Sequence, residues 1–176
     1  MTDGPTFEVL ALPLFEALYN YARWLVREPA EAEDLVQETY LKGLRGFRSF
    51  APGTNFKAWM FRILRNTFLT SRTGLRAVPP LSIDDDPEEV MQLAASDGTP
   101  ETRLFHRANE RILQDAIGNL PLPFREVLLL SDVEELSYRE IAEMLSIPLG
   151  TVTSRLIRAR RKVREAIGTS VMRGAL

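Results

Sequence analysis

Cysteine is absent from this chain of 176 residues, and histidine occurs only once, at His106. Without thiols the chain cannot form disulfides, bind a metal through thiolates or sense redox state by itself. A single imidazole also argues against a histidine metal cluster or a serine–histidine catalytic relay. We therefore predict a protein that is not an enzyme and that has no metal site and no cofactor.

Long apolar runs and strand-like alternation are also lacking. No apolar run approaches the roughly 20 residues that a helix needs to cross a bilayer, and no signal-peptide pattern precedes the first predicted helix. These absences predict a cytoplasmic protein without membrane insertion. Apolar residues instead recur at helical spacing along the chain, which predicts an all-α fold.

The charges are unevenly distributed, although their totals nearly cancel to a formal net charge of −2. Acid is concentrated at 31–34 and 84–89, whereas base is concentrated in the last predicted helix. Because charges farther apart than about 10 Å are screened at ordinary salt, the local field decides where a nucleic acid docks. A slightly acidic chain therefore remains compatible with DNA binding.

Two helical regions flank a segment of linker composition. This segment contains Pro79-Pro80 and the acidic run at 84–89, a mixture that favours flexible connections. At 99–101, threonine, proline and glutamate stand in the order preferred at a helix start. We predict two small helical domains, at 1–70 and 99–176, joined by a flexible acidic linker at 71–98.

The second predicted domain ends in two helices joined by a short turn. Ser137 and Glu140 have the spacing of a capping box, in which each side chain pairs with a free backbone N–H at the helix start. Pro148 and Gly150 predict a turn after this helix, and Thr151 is placed to cap the next one. The pattern predicts a helix-turn-helix.

The last helix carries charge of one sign on one side. Between Thr151 and Arg164 there are five arginines and one lysine, but no acid. The residues predicted to lie on or near the outer face are Thr153, Ser154, Arg155, Ile157, Arg158, Arg161 and Lys162. Such a helix suits a DNA major groove. The alternative is a solvated basic face on an ordinary helix pair, but the cap, the turn and the one-sided charge together favour DNA binding.

Two helices of the first predicted domain present polar faces. The helix after Pro29 is predicted to turn an apolar stripe inward at Leu35, Val36, Tyr40, Leu44 and Phe47. Asn55 is placed to cap a further helix that runs to about Thr70, on which Trp59, Arg62 and Asn66 share a face. An aromatic ring, a cation and an amide can stack on an unpaired base and hydrogen-bond to it. The alternative is that the tryptophan packs in the core.

Together these motifs resemble bacterial sigma factors of the extracytoplasmic-function branch, over about 12–167. The segment AEDLVQETYLKGLRGFRSF resembles the second conserved region of that family, and GTNFKAWMFRILRNTFL resembles its promoter-melting helix. LSYREIAEMLSIPLGTVTSRLIRARRKVREAI is similar to its C-terminal helix-turn-helix. Two motif blocks in the right order make the resemblance more specific than a helix-turn-helix alone.

The resemblance implies roles for individual residues. Contact with the clamp helices of the largest RNA polymerase subunit is implied for Asp34, Leu35, Gln37 and Glu38. Contact with the opened minus-ten element is implied for Asn55, Lys57, Trp59, Arg62 and Asn66, beside a loop at Phe50–Phe56 that family members use to hold a flipped base. Recognition of the minus-thirty-five element is implied for Thr151, Thr153, Ser154, Arg155 and Arg158. Thr153 departs from the arginine or lysine that is common there.

The resemblance also implies partners. They are core RNA polymerase, through its beta-prime clamp helices and its beta flap, promoter DNA, and an anti-sigma factor that holds the protein inactive by covering polymerase-binding surfaces. Parts of the N-terminal half are most similar to the branch controlled by zinc-containing, redox-sensitive anti-sigma factors. Because this chain has no cysteine, any redox response would reside in that partner.

Two other functions are compatible with parts of the sequence. A stand-alone regulator with an N-terminal dimerisation or sensing domain would bind a palindromic duplex site without polymerase, but the second motif block argues against it. An enzyme that used the carboxylates at Asp84–Glu89 with a metal would need preorganised partner ligands, which a proline-containing linker does not offer.

Overall fold

The computed structural model describes residues 5–73 and 110–174, and over these ranges it contains helices and no strand. The predicted all-α fold is confirmed. The chain divides into two compact units, Met1–Pro80 and Leu81–Leu176. The predicted linker from residue 74 onward, its acidic run and the helix start at 99–101 lie outside the described residues, so the proposed domain boundaries stay a prediction.

Four helices and two 3₁₀ turns form the described part of the N-terminal unit. In chain order they are α1 (Phe7–Ala11), a 3₁₀ turn (Leu12–Leu14), α2 (Phe15–Leu25), α3 (Pro29–Gly46), a 3₁₀ turn (Phe47–Ser49) and α4 (Phe56–Thr73). Pro29 occupies the first turn of α3, where a missing N–H costs no hydrogen bond. α3 packs against both α2 and α4, so the face of α3 that points away from them is free to present polar groups.

The core of the N-terminal unit lies between α2, α3 and α4. Its fully buried side chains include Leu18, Tyr21, Val36, Met60, Phe61 and Leu64. The predicted inward stripe of α3 is correct for Leu35 and Val36 but wrong for Leu44, which is 52% exposed. Because α3 is longer than α2, the packing of α2 does not cover the end of α3, and Leu44 near that end is exposed to solvent.

Gly43 marks the closest approach within this unit. A Cβ at this position would lie 3.0 Å from Met60 Sδ and 3.1 Å from the ring of Phe7. The absence of a side chain therefore lets α1 lie against α3. Tyr40 strengthens the same contact, because its hydroxyl donates to the carbonyl oxygen of Ala11 at 2.6 Å. Burial raises the pKa of the Tyr40 phenol.

Four helices also form the described part of the C-terminal unit. They are α5 (Glu110–Gly118), α6 (Leu122–Leu128), α7 (Tyr138–Leu145) and α8 (Leu149–Gly174). α6 continues directly into a π turn (Leu129–Val133). Arg125 joins α6 to the end of α5: its Nε donates to the carbonyl oxygen of Ile117 at 3.2 Å, and its Nη2 donates to those of Gly118 and Leu120 at 2.6 and 2.8 Å. The carbonyl groups of Ile117 and Gly118 lie in the last turn of α5, and the N–H of Leu120 also donates to that of Ile117 at 3.1 Å. The guanidinium therefore helps to cap α5.

The helix-turn-helix consists of α7 and α8. The predicted capping box is confirmed: Ser137 Oγ accepts from the backbone N–H of Glu140, and the Glu140 carboxylate accepts from the N–H of Ser137 at 2.8 Å. α7 ends at Ser146, which has the left-handed backbone conformation with φ 54°. The predicted cap at Thr151 is wrong. α8 begins at Leu149 and Pro148 precedes it, so Thr151 lies within the first turn.

Among the described residues, no helix combines the length and the apolar character that a membrane span requires. Within the same ranges there is also no grouping of three or more histidine, cysteine or acidic side chains that would hold a metal ion.

Candidate nucleic-acid and polymerase interfaces

The recognition helix α8 buries one face and leaves cations on the other. Its apolar positions Val152, Leu156, Ala159, Val163 and Ile167 are buried, as predicted. Thr151, Thr153 and Arg155 are half-exposed near its start. The predicted outer-face positions of Ser154 and Arg158 are wrong, because these residues are only 3% and 8% exposed. The free chain therefore presents only part of the predicted reader set.

Arg155 has an unusual environment for a surface arginine. Its Nε is enclosed and has no hydrogen-bond partner among the described residues, although the side chain as a whole is half-exposed. An enclosed donor without an acceptor costs roughly 1–3 kcal/mol. Any rearrangement that gives this guanidinium an acceptor is therefore favourable. Ser154 differs, because its Oγ donates to the carbonyl oxygen of Thr151 at 3.2 Å.

The face of α4 brings together two exposed polar residues and a half-buried ring. Arg62 and Asn66 are exposed and Trp59 is half-buried. The ring of Trp59 lies 5.4 Å from that of Phe50 and 5.5 Å from that of Phe56, measured between centroids. Trp59 is therefore mainly a packing residue, as in the alternative interpretation of the sequence, with part of one face left at the surface.

Trp59 belongs to a group of five neighbouring rings that was not predicted from the sequence. This aromatic cluster consists of Phe7, Phe47, Phe50, Phe56 and Trp59. Phe47, the first residue of the 3₁₀ turn, and Phe50, which directly follows it, are stacked with an interplanar angle of 6°. Four of the five rings fall within residues 47–59, and this local density was the available signal.

The loop before α4 is held by short-range hydrogen bonds. Thr54 Oγ1 donates to the carbonyl oxygen of Ala51 at 2.7 Å, and Gly53 has a left-handed backbone with φ 87°. Asn55 caps α4, as predicted, because its Oδ1 accepts from the N–H of Ala58 at 3.2 Å. Lys57 is half-buried, with its Nζ 5.7 Å from the ring centroid of Phe61. The loop thus rests in one conformation on the aromatic cluster.

The polar face of α3 presents two of the predicted polymerase-binding residues without obstruction. Asp34 and Gln37 are exposed, and Glu38 is half-exposed beside Lys42, whose Nζ lies 3.5 Å from its Oε1. Leu35 is only 7% exposed. Its side chain packs in the core, and the contact of Leu35 with polymerase stays a prediction.

An apolar groove that sequence reasoning missed lies beside this polar face. It has a volume of about 450 Å³ and is formed by α1, α2 and α3. The lining residues include Phe7, Leu12, Phe15, Val36, Tyr40, Leu41 and Leu44. Leu12, Phe15 and Leu44 are each more than half exposed, at 67%, 54% and 52%. Such a concentration of exposed apolar side chains is typical of a protein-binding surface.

Two family models match the chain, and both describe sigma-70 proteins. Sigma-70 region 2 matches residues 14–77, and Sigma-70 region 4 matches residues 110–163. The ECF RNA polymerase sigma-E factor of Haemophilus influenzae is 36% identical over 138 residues, which are 76% of this chain and 73% of that protein. The chain belongs to the extracytoplasmic-function (ECF) branch of the sigma-70 family.

Further relatives agree with this assignment. The ECF RNA polymerase sigma factor SigE of Mycolicibacterium smegmatis is 35% identical over 92% of this chain, which spans 61% of that relative's length. The solved structure of the sigma factor RpoE of Bartonella quintana, in complex with the anti-sigma factor NepR, has a TM-score of 0.66 and 27% identity, covering 89% of this chain and 93% of that one. As an ECF sigma factor, the protein is a factor of transcription initiation. The matches to both regions do not support the stand-alone regulator.

Proposed function

We propose that this ECF sigma factor binds core RNA polymerase in the cytoplasm and directs it to specific promoters, without catalysing a reaction itself. The observation that carries this proposal is that one chain presents two surfaces of different chemistry. The N-terminal unit offers an exposed arginine and amide beside an aromatic cluster, and the C-terminal unit offers a basic recognition helix. The first suits unpaired bases and the second suits duplex DNA.

The N-terminal unit is proposed to capture bases of the opened minus-ten element. Flipping a base costs a few kcal/mol, which stacking and edge hydrogen bonds must offset. Arg62 and Asn66 supply donors and an acceptor on the exposed face of α4. The loop at Phe50–Phe56 supplies backbone groups over the aromatic cluster. In this arrangement Asn55, Lys57 and Trp59 act mainly by fixing the loop and the helix start.

The C-terminal unit is proposed to read the minus-thirty-five element with the first turns of α8. Thr151, Thr153 and Arg155 are the members of the set that the free chain presents. Ser154 and Arg158 join them by side-chain rotation on contact with DNA. An arginine that reaches a guanine edge with two hydrogen bonds contributes about 1–3 kcal/mol of discrimination. Arg155 is the strongest candidate, because it is the arginine of this set that is half-exposed in the free chain.

Polymerase docking is proposed for the polar face of α3 together with the apolar groove. Asp34, Gln37 and Glu38 supply charge and hydrogen bonds, and Leu41, which is 48% exposed, supplies apolar contact between them and the groove. Once both units are held on polymerase, the binding of one makes the binding of the other effectively intramolecular. Weak contacts by each unit then add up to specific promoter binding.

An anti-sigma factor is the proposed regulator. The solved relative RpoE is in complex with the anti-sigma factor NepR, and the groove on the N-terminal unit is a surface that such a protein can cover. Occupation of this groove would block the adjacent polymerase-binding face. Regulation would then consist of competition for one surface.

Run-off transcription with core bacterial RNA polymerase tests the proposal. Genomic promoter fragments are transcribed with the parental chain, with Arg62→Ala or with Arg155→Ala, and with Arg23→Ala as a control at an exposed arginine of α2. We expect discrete transcripts with the parental chain and the control, and a loss of roughly fivefold or more with either test variant, as for the loss of a base contact worth about 1–3 kcal/mol. Absence of transcripts and of binding to core polymerase with the parental chain would refute the proposal.

A further inference from the structure

Arg160 lies on the recognition helix, but its guanidinium is bound to another part of the same unit. Its Nε lies 3.0 Å from Asp132 Oδ2, and its Nη2 lies 2.8 Å from Asp132 Oδ1. This is a two-point contact with fixed geometry, which is more directional than an ordinary surface ion pair. The two side chains are 20% and 30% exposed, respectively, so solvent screens the contact only partly.

Asp132 lies in the π turn that ends α6. π turns are rare and tend to occur at functional sites, since one extra residue per turn redirects the following side chains. Here Leu129 and Leu130 are buried, whereas Asp132 is exposed and reaches across to α8. The N–H of Glu134 donates to the carbonyl oxygen of Leu129 at 2.9 Å and fixes the turn.

Arg160 is held in its charged form by the same carboxylate. The hydrogen bond to Asp132 raises the pKa of Arg160, against the effect of burial. The π turn that carries Asp132 packs against α7, and so does α8 itself. The pair therefore links α8 to the turn that leads into the first helix of the helix-turn-helix.

We infer that Asp132 and Arg160 are positioning residues for minus-thirty-five recognition: they fix α8 against α6 and α7 and thereby set the angle at which α8 enters the groove. Arg160 acts through Asp132 and not through a phosphate. The inference rests on the proposed function of α8. It distinguishes Arg160 from the exposed Lys162 two residues later, which is placed for phosphate contact.

A cation on α8 can contact a phosphate or position the helix, and the loss of these two roles changes the salt dependence of DNA binding in opposite directions. Loss of a phosphate contact makes DNA binding less sensitive to salt, by about one unit of the log–log slope per contact. Removal of Asp132 leaves Arg160 in place but without its carboxylate partner. The released guanidinium can then bind a phosphate, so the salt slope should become steeper while sequence discrimination falls. Simple unfolding of the unit would not produce this combination.

The experiment uses core bacterial RNA polymerase with the full chain and a promoter library in which the minus-thirty-five element is randomised. The variants are Asp132→Ala, Asp132→Glu, Arg160→Lys and Lys162→Ala. Ile117→Val, in the buried core of α5, serves as a stability control that leaves the pair intact. Sequence preference is measured from the enrichment of transcribed templates, salt slope from promoter binding, and thermal stability by circular dichroism.

We expect Asp132→Ala and Arg160→Lys to lower discrimination between preferred and singly mismatched elements by about threefold or more, part of the 1–3 kcal/mol that one base pair contributes. Asp132→Glu, which can keep a two-point contact, should recover most of the discrimination. Ile117→Val should keep the discrimination of the parental chain even where its melting temperature equals that of Asp132→Ala. Lys162→Ala should flatten the salt slope and keep the preference.

Three results would overturn the inference. The first is that Arg160→Lys and Asp132→Ala have the same sequence preference as the parental chain. The second is that Arg160→Lys behaves like Lys162→Ala. The third is that Ile117→Val loses as much discrimination as Asp132→Ala. A parental chain that yields no specific transcripts would overturn the proposed function itself, which is a separate and recognisable failure.

Discussion

The two units of this sigma factor obtain rigid structure in different ways. Every close ring pair among the described residues lies in the N-terminal unit, where the rings span residues 7–61. In the C-terminal unit the fully buried side chains are aliphatic, including Val127, Leu130, Ile141, Val152, Leu156 and Val163. There two half-buried arginines join the elements, Arg125 on α5 carbonyl groups and Arg160 on Asp132. The N-terminal unit also has an arginine pair between helices, Arg72 with Glu31, but its side chains are more exposed.

The difference matches the two kinds of DNA that the units are proposed to bind. An unpaired base stacks on rings, so a unit that captures such bases needs aromatic side chains near its surface. A duplex is read by a helix held at a fixed angle, so a unit that reads it needs firm attachments between helices. Rings in the first unit and guanidinium contacts in the second would therefore serve the proposed DNA contacts as well as stability.

The stability of the two units can be followed separately because the tryptophans are unevenly distributed between them. Both of them, Trp24 and Trp59, lie in the N-terminal unit. Tryptophan fluorescence therefore reports unfolding of that unit alone, whereas circular dichroism reports loss of helix in both. The effect of a variant on stability can thus be assigned to the unfolding transition of the unit that carries it.

The largest effect is expected for Gly43→Val, which inserts methyl groups where α1 and α3 are closest. The new Cβ would meet Met60 Sδ at 3.0 Å and the Phe7 ring at 3.1 Å, and both of these side chains are buried, so they have to shift to admit it. Overpacking of this kind costs about 1–3 kcal/mol. We expect the fluorescence-detected urea midpoint to fall while the C-terminal transition stays unchanged. Gly168→Ala is the control, since a Cβ there has no neighbour within 4 Å. An unchanged fluorescence midpoint in Gly43→Val would contradict the close approach.

The next effect is expected for Arg125→Ala in the C-terminal unit. It removes three hydrogen bonds to carbonyl groups at the end of α5, and hydrogen bonds to charged groups contribute about 1.5–3 kcal/mol each when measured singly. Partial replacement by water should leave a net loss of about 2 kcal/mol for the set. The loss should appear in circular dichroism and not in fluorescence. Arg111→Ala, at an exposed arginine of α5, is the control, and equal losses in both variants would argue against the cap.

Local signals in the sequence predicted much of the fold. The capping box at Ser137 and Glu140, the first-turn proline of α3 and the cap at Asn55 depend on residues three or four apart, so the sequence displays them directly. The start of α8 was misplaced because Thr151 is a good cap in isolation, whereas the turn after Ser146 lets the helix begin at Leu149.

The parts that the sequence could not predict depend on contacts between distant segments. Periodicity places Ser154 and Arg158 near the outer face of α8, but their burial depends on how that helix packs in its unit. The apolar groove needs α1 to fold over α3, and the pairing of Asp132 with Arg160 joins residues 28 positions apart. The candidate site was therefore found as a set of motifs, whereas the exposure of its members required the structure.

A smaller effect is expected for Ser137→Ala, which breaks the capping box of α7. Loss of an N-cap side chain costs about 0.5–2 kcal/mol. The melting temperature from circular dichroism should fall by a few degrees, while fluorescence stays unchanged. Ser137→Asp keeps an acceptor at the cap and should restore most of the stability. If the alanine variant were as stable as the parental chain, the paired hydrogen bonds at this helix start would contribute nothing measurable.

The smallest effect is a gain in stability, and it comes from a contrast in backbone between the units. In the N-terminal unit the described residue with a left-handed backbone is Gly53, whereas in the C-terminal unit such residues are Glu135 and Ser146, with φ of 57° and 54°. A Cβ in this conformation is disfavoured by roughly 1–2 kcal/mol. Glycine removes this strain from the folded state, but it also makes the unfolded chain more flexible, which offsets part of the gain in stability. Glu135→Gly should therefore stabilise the C-terminal unit by about 0.5 kcal/mol.

Glu135→Ala separates backbone strain from the loss of the charged side chain, because alanine removes the carboxylate and keeps the Cβ. The glycine variant should be more stable than the alanine variant, with the difference confined to the transition seen by circular dichroism. Equal stability of the two would mean that the loop between the π turn and α7 relaxes without cost. The difference between the two variants therefore measures what the left-handed backbone at Glu135 costs the C-terminal unit.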